Sequence, residues 1–163
     1  MHASIFDRSA PKEELYASLA GSLEALIGEE TDPIANLANA SALIWEALPD
    51  INWAGFYILR GGELVLGPFQ GRPACVRIAM GKGVCGTAAA GKRTIVVEDV
   101  NAFPGHIACD AASRSEIVVP LVSGGALFGV LDVDAPRVAR FDDEDRRGLE
   151  AVAEIISRRL AAV

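Results

Sequence analysis

The chain has 163 residues, a natural length for one domain around one core, and 51% of them are hydrophobic, which argues against disorder. Its formal net charge of -7 excludes the basic footprint that nucleic-acid binding needs and disfavours an anionic membrane surface. No apolar run approaches the roughly 20 residues of a spanning helix, and residues 1–8 lack the basic and then apolar blocks of a signal peptide, so the cytoplasm is the expected compartment.

Leu15, Leu19, Leu23 and Leu26 recur at helical spacing and predict an amphipathic helix over residues 11–28. Asp32-Pro33 reads as the cap and first turn of a second helix whose buried stripe holds Ile34, Leu37, Ile44 and Leu48. Residues 53–60 and 63–69 are strands joined at Gly61-Gly62. A short strand is expected at 75–78, then a small-residue helix at 83–90 ended by Gly91, then β-rich residues at 94–97. Residues 99–113 form a long irregular connection, of the kind that is usually functional or mobile. Apolar runs at 117–122 and 126–133 make a second hairpin, with Pro120 favouring an edge or bulged position. Asp142 caps a last helix with Leu149, Val152, Ala153, Ile156 and Leu160 on its apolar stripe. The expected fold is α+β over residues 1–163: a mainly antiparallel sheet of about six strands with N- and C-terminal helices packed on it.

Two glycine patterns are decoys. Gly81 to Gly86 matches GxGxxG without a βαβ unit around it, and Gly86 to Lys92 approaches a P-loop but continues with Arg93 instead of Ser or Thr. Nucleotide binding is therefore not expected. The chain has three cysteines and two histidines with no CxxC-like pairing, so neither a zinc site nor a disulfide scaffold is expected.

The chemistry concentrates around Cys109, in the run Gly105-His106-Ile107-Ala108-Cys109-Asp110-Ala111-Ala112-Ser113-Arg114-Ser115-Glu116. A thiol in a loop of small residues, with an imidazole one turn earlier, has what a sulfur nucleophile needs, since a nearby imidazolium would favour the thiolate; the alternatives are a small buried hydrophobe for Cys109 and a solvated loop residue for His106. Cys75 or Cys85, if packed near it, could capture its oxidised form; the alternative for both is core packing. Asp132 and Asp134 are two apart on a strand and project to one face, in line with Phe128 and Val130. Paired carboxylates at the mouth of an apolar pocket would bind an ammonium and raise one pKa, leaving a proton donor; the alternative is two solvated acids at a strand end. Glu116 could join them. Trp53 and Tyr57 flank Gly55 on one face, a hollow suited to a soft sulfur ligand.

The segments Asn52-Trp53-Ala54-Gly55-Phe56-Tyr57, Gly83-Val84-Cys85-Gly86-Thr87, Gly105 to Ser113, Ser115-Glu116-Ile117-Val118 and Gly129-Val130-Leu131-Asp132-Val133-Asp134 closely resemble the free methionine-(R)-sulfoxide reductases, stand-alone GAF-domain enzymes, over essentially the whole chain. The resemblance implies that Cys109 attacks the sulfoxide sulfur and becomes a sulfenic acid as methionine leaves. It implies Cys75 as the resolving thiol and Cys85 as an alternative resolving or substrate-proximal one. Glu116, Asp132 and Asp134 match acidic pocket residues, and Trp53 and Tyr57 the aromatic wall. A thioredoxin-like dithiol is the implied reductant, no cofactor is implied, and a homodimer is compatible with the family. A closed pocket would select the free amino acid by refusing an acylated amino group. The rival reading is a non-catalytic GAF module that senses a small ligand or redox state.

Overall fold

The computed structural model describes residues 5–162; residues 1–4, part of the start read as lacking a signal peptide, and residue 163 lie outside the described residues. Two helices come first, α1 (Lys12–Ile27) and α2 (Pro33–Ala47), followed by strands β1 (Trp53–Arg60), β2 (Glu63–Gly71) and β3 (Arg77–Ala79). Helix α3 (Gly83–Gly91), strand β4 (Ile95–Val97) and a single 3₁₀ turn (Val100–Ala102) lead into a loop. Strands β5 (Ser115–Ser123) and β6 (Ala126–Ala135) and helix α4 (Asp143–Ala161) complete the order. The strands form one sheet in the order β3-β2-β1-β6-β5-β4, antiparallel at every pairing.

Period-two alternation divides the two faces of this sheet. Phe56 of β1, Ile117, Val119 and Leu121 of β5, and Leu131 and Val133 of β6 point toward α1, α2 and α4, where they pack with Leu19, Ile44, Leu149 and Val152 in the main core. The opposite face carries Trp53, Tyr57, Val118 and Val130, covered by α3 through Val84, Cys85 and Ala88. The chemistry is on this second face, where a short helix and loops replace the three-helix layer.

The helix ends follow the expected capping. Asp32 accepts from Ala35 N at 2.9 Å, and Asp142 forms a capping box with Asp145. Asp145, 1% exposed, also accepts from the Tyr16 hydroxyl at 2.9 Å, Arg140 Nη1 at 3.2 Å and Lys12 Nζ at 2.6 Å, so α1 and α4 are tied through one satisfied buried carboxylate.

Several local expectations are corrected. Leu26 and Ile34 are exposed, because the buried stripe of α1 ends on Ile27 and that of α2 begins at Asn36. Cys75 precedes β3 instead of lying in it. The left-handed residue that ends α3 is Lys92, φ 49°, one beyond Gly91. Phe128 does not line up with Asp132 and Asp134: a register shift pairs Leu121 with Gly129 but Val122 with Leu127, and the extra residue turns Phe128 to the helix-covered face. Pro120 lies beyond the last β4 pairing, Ile95 with Val118, and next to that shift, as a residue without an N–H requires.

Candidate active site

Register assembles the acidic floor. Trp53 pairs with Asp134, and Asp134 pairs with Glu116, so one row across β1, β6 and β5 reads Trp53–Asp134–Glu116. The next row on the same face is Gly55–Asp132–Val118. Three carboxyls thus meet on one face, with Glu116 and Asp134 directly opposite each other, a pairing that repels when both are ionised. Glu116 and Asp132 are each 6% exposed. Burial, reinforced by the Asp134 charge, pushes the Glu116 carboxyl up to about 8. Burial together with Glu116 pushes Asp132 up, and burial together with Asp132 and Asp110 does the same for Asp134. Burial of three carboxyls on one floor therefore favours their protonated forms.

Cys85, on α3, faces this floor. Its thiol donates to Glu116 Oε1 at 3.9 Å, and burial beside Asp132 and Glu116 pushes it well above its ordinary pKa. It is a buried protonated thiol, which makes it a poor nucleophile.

The other two thiols are joined. Cys75 and Cys109, separated by 34 positions in sequence, form a disulfide across a Cα–Cα distance of 5.8 Å, with Cys109 exposed at the rim of a pocket and Cys75 half-buried. That pocket is lined by Trp53, Tyr57, Cys85, His106, Cys109, Glu116, Asp132 and Asp134, so every site residue expected from the sequence is at its wall except Cys75, whose neighbours Pro73 and Ala74 line it.

Strand β1 positions both disulfide segments. Trp53 Nε1 donates to the carbonyl of Arg72 at 3.1 Å, and the Tyr57 hydroxyl donates to that of Cys75 at 2.9 Å. Asn52, one residue before β1, donates through Nδ2 to Asp110 Oδ2 at 3.2 Å and to the Ser113 hydroxyl at 3.0 Å. Asp110 also accepts from Ala112 N at 2.9 Å. The Cys109 loop is thereby tied to the strand that holds the Cys75 segment. Asn52, part of the Asn52-Trp53-Ala54-Gly55 motif, has this tying role, which local spacing does not announce.

One expectation changes here. The space over Gly55 is not a ligand hollow: Phe69 of β2 occupies it, where a Cβ on Gly55 would collide with the Phe69 Cα and Cβ, and the Phe69 ring stacks on Trp53 at 5.2 Å between centroids. The aromatic wall thus has three rings, because Tyr57 also stacks on Trp53, at 6.0 Å between centroids. His106 faces the acidic floor. Its Nε2 lies 3.7 Å from Glu116 Oε2, and burial lowers its pKa, which leaves the ring neutral near pH 7.

Among the described residues, no helix is long and apolar enough to cross a membrane. A model of the GAF domain family matches residues 35–161. The chain is 56% identical over 156 residues to Protein YtsP of Bacillus subtilis, covering 94% of this chain and 96% of that one. It is 55% identical over 150 residues to the free methionine-R-sulfoxide reductase of Escherichia coli, covering 92% and 91%. The solved free methionine-R-sulfoxide reductase of Neisseria meningitidis, in complex with its substrate, matches with a TM-score of 0.92 at 48% identity over 99% of this chain and 97% of that one. With its thiols, acids and aromatic wall on a GAF sheet, the chain belongs to the free methionine-R-sulfoxide reductase family.

Proposed function

We propose that this protein reduces free L-methionine (R)-sulfoxide to L-methionine, with Cys109 accepting the oxygen and Cys75 resolving the product. The observation that carries this reading is the disulfide between Cys75 and Cys109 at the rim of a pocket whose floor is Glu116, Asp132 and Asp134. An oxygen-accepting thiol and its partner stand on one side, and the proton source on the other.

The steps balance as follows. The Cys109 thiolate attacks the sulfoxide sulfur while a floor carboxyl protonates the sulfoxide oxygen, and methionine leaves as the oxygen passes to Cys109 as a sulfenic acid. Glu116, which keeps its proton up to about pH 8, suits the donor role. The Cys75 thiol then attacks the sulfenic sulfur, forming the disulfide and releasing water. An external dithiol of the thioredoxin type reduces the disulfide by exchange. Cys85, buried and protonated against Glu116, is a pocket-lining thiol and not the resolving one.

Recognition uses the same groups. The charge of the substrate ammonium favours release of a floor proton to water and pairs with the resulting Asp132 or Asp134 carboxylate, since an opposite charge at close range favours the ionised form. An acylated nitrogen brings no such charge, so peptide-bound methionine sulfoxide is refused. Trp53 and Tyr57 pack against the thioether. Residues 1–163 act as one catalytic unit, and a reducing cytoplasm would keep the three thiols ready.

The test is conversion of each purified epimer of methionine sulfoxide with dithiothreitol or thioredoxin as reductant. Only the free R epimer should be consumed, and Cys109→Ser should abolish turnover. A wild-type protein that binds the amino acid without converting it would instead favour the sensor reading.

A further inference from the structure

We infer that the exposed face of the Cys75–Cys109 disulfide is the docking surface for an acidic protein dithiol, which attacks the sulfur of Cys109 and expels that of Cys75. The inference rests on the reductase reading for its purpose, since a chain that ends each turnover as a disulfide needs a reductant. It adds which sulfur is struck and which side chains receive the partner.

Access decides between the two sulfurs. Exchange needs in-line approach, so the incoming thiolate must reach the struck sulfur from the side opposite the leaving one. Cys109 is exposed in its loop. Cys75 is half-buried, packs against the core that α3 covers, and has its carbonyl held by the Tyr57 hydroxyl. A partner therefore meets Cys109 from solvent, whereas the chain's own core backs Cys75. The partner's thiolate forms a bond to Cys109 Sγ as the Cys75–Cys109 bond breaks, and the electron pair leaves on Cys75, which takes a proton from water. The partner's second thiol, losing its proton, then attacks the partner sulfur of this mixed disulfide and releases Cys109. Two electrons have passed to the chain, and the partner leaves as a disulfide.

The surroundings of the bond fit such a partner. Val76, next to Cys75, is 65% exposed, and Ile107, two residues before Cys109, is 38% exposed. Large apolar side chains left open on both segments of a reducible bond give a partner something to bury. The charge beside them is positive although the chain carries -7 overall. Arg72, with its side chain 79% exposed, lies 4.0 Å from Asp110, the neighbour of Cys109. Lys82, also exposed, lines the pocket that Cys109 rims. An acidic partner is repelled by most of this surface and drawn to this part of it, which orients the encounter.

The attacked sulfur is read by trapping. Oxidised full-length protein is mixed with a thioredoxin whose second active-site cysteine is replaced by serine, quenched in acid, alkylated and mapped by mass spectrometry. The link should fall on Cys109, with Cys75 recovered as an alkylated thiol; a link to Cys75 would overturn the assignment. The surface is read from reduction of the preformed disulfide by intact thioredoxin and, separately, by dithiothreitol. Val76→Ser should slow thioredoxin about fivefold or more and leave dithiothreitol within about twofold, because only the protein partner buries that side chain. Arg72→Glu should slow thioredoxin at low salt and remove the slowing that added salt causes in the wild type. Thioredoxin rates unchanged in both variants, or equal slowing of both reductants by Val76→Ser, would overturn the surface. So would a wild-type dimer in sedimentation that Val76→Ser dissociates, which would give the patch to a second copy. Neither readout requires methionine sulfoxide. A chain that links through Cys109 but converts no sulfoxide sinks the reductase reading alone, and one that turns over with dithiothreitol but links through Cys75 sinks this inference alone.

Discussion

The hydroxyl of Tyr57 donates to the backbone carbonyl of Cys75 at 2.9 Å, so the side chain that walls the pocket also anchors the thiol assigned to resolution. Removing that hydroxyl leaves the carbonyl without this partner and frees the segment, a loss on the order of 1 kcal/mol. In Tyr57→Phe, oxygen transfer should stay within about threefold while disulfide closure slows roughly five- to tenfold. Rapid quenching with dimedone, which traps sulfenic acid, separates the two steps. Closure at the wild-type rate would contradict the anchoring role.

The raised pKa of Glu116 makes stability fall with pH. Burial is its main cause, so the folded chain keeps a proton that the unfolded chain loses. This contribution is fully present below the ordinary value of 4.5 and is lost as pH rises through about 8. The melting temperature of the wild type should therefore decline between about pH 5 and pH 8, and Glu116→Gln should flatten that decline. The same variant should lose on the order of 100-fold or more in turnover if the carboxyl is the general acid. Differential scanning calorimetry across pH, set beside kcat, checks both halves.

Gly83 opens α3 with φ +61°, and a Cβ there would stand 3.0 Å from Ile107 Cδ1, two residues before Cys109. Gly83→Ala should cost about 1 kcal/mol or more in backbone strain and push the loop outward, which slows disulfide formation. Ile107→Ala removes the collision but not the strain. A double-mutant cycle should show closure partly restored in the pair, with stability still reduced. Additive effects on closure would rule out the contact.

Asp145 offers a control on the far side of the sheet. It is buried against Arg140 and Tyr16, and its removal strands a buried guanidinium. Asp145→Ala should lower unfolding free energy by about 3–5 kcal/mol in urea titrations. Its kcat should match the wild type at temperatures where the fold persists.

Much of this architecture was legible in the chain because single-element patterns carry it. The boundaries of β1, the Asp32 and Asp142 caps and the stripe of α4 follow from local spacing, which tertiary packing had no reason to override. The expectations that failed on the sheet depended on a neighbouring strand. Phe128 turned over because a residue inserted into the β5–β6 ladder inverts alternation, and a bulge leaves no mark in hydropathy. The space over Gly55 is filled by Phe69 from β2, a partner known only once register is known. Similarly, the acids were individually visible on their strands, but the Trp53–Asp134–Glu116 row exists only across three of them. The contact of His106 with Glu116 likewise joins a loop to a strand and has no mark in local spacing.

The most direct test of the oxygen transfer to Cys109 is a single turnover without external reductant. Reduced protein is mixed with one equivalent of free methionine (R)-sulfoxide, and both the amino acid and the intact protein mass are read. The expected result is one methionine per chain, a protein lighter by two hydrogens, and a cross-linked peptide pair containing Cys75 and Cys109. The Cys75→Ser variant should release methionine equally and gain one oxygen at Cys109. Unconverted sulfoxide with all three thiols still titratable, or methionine formed with Cys109 unmodified, would contradict it.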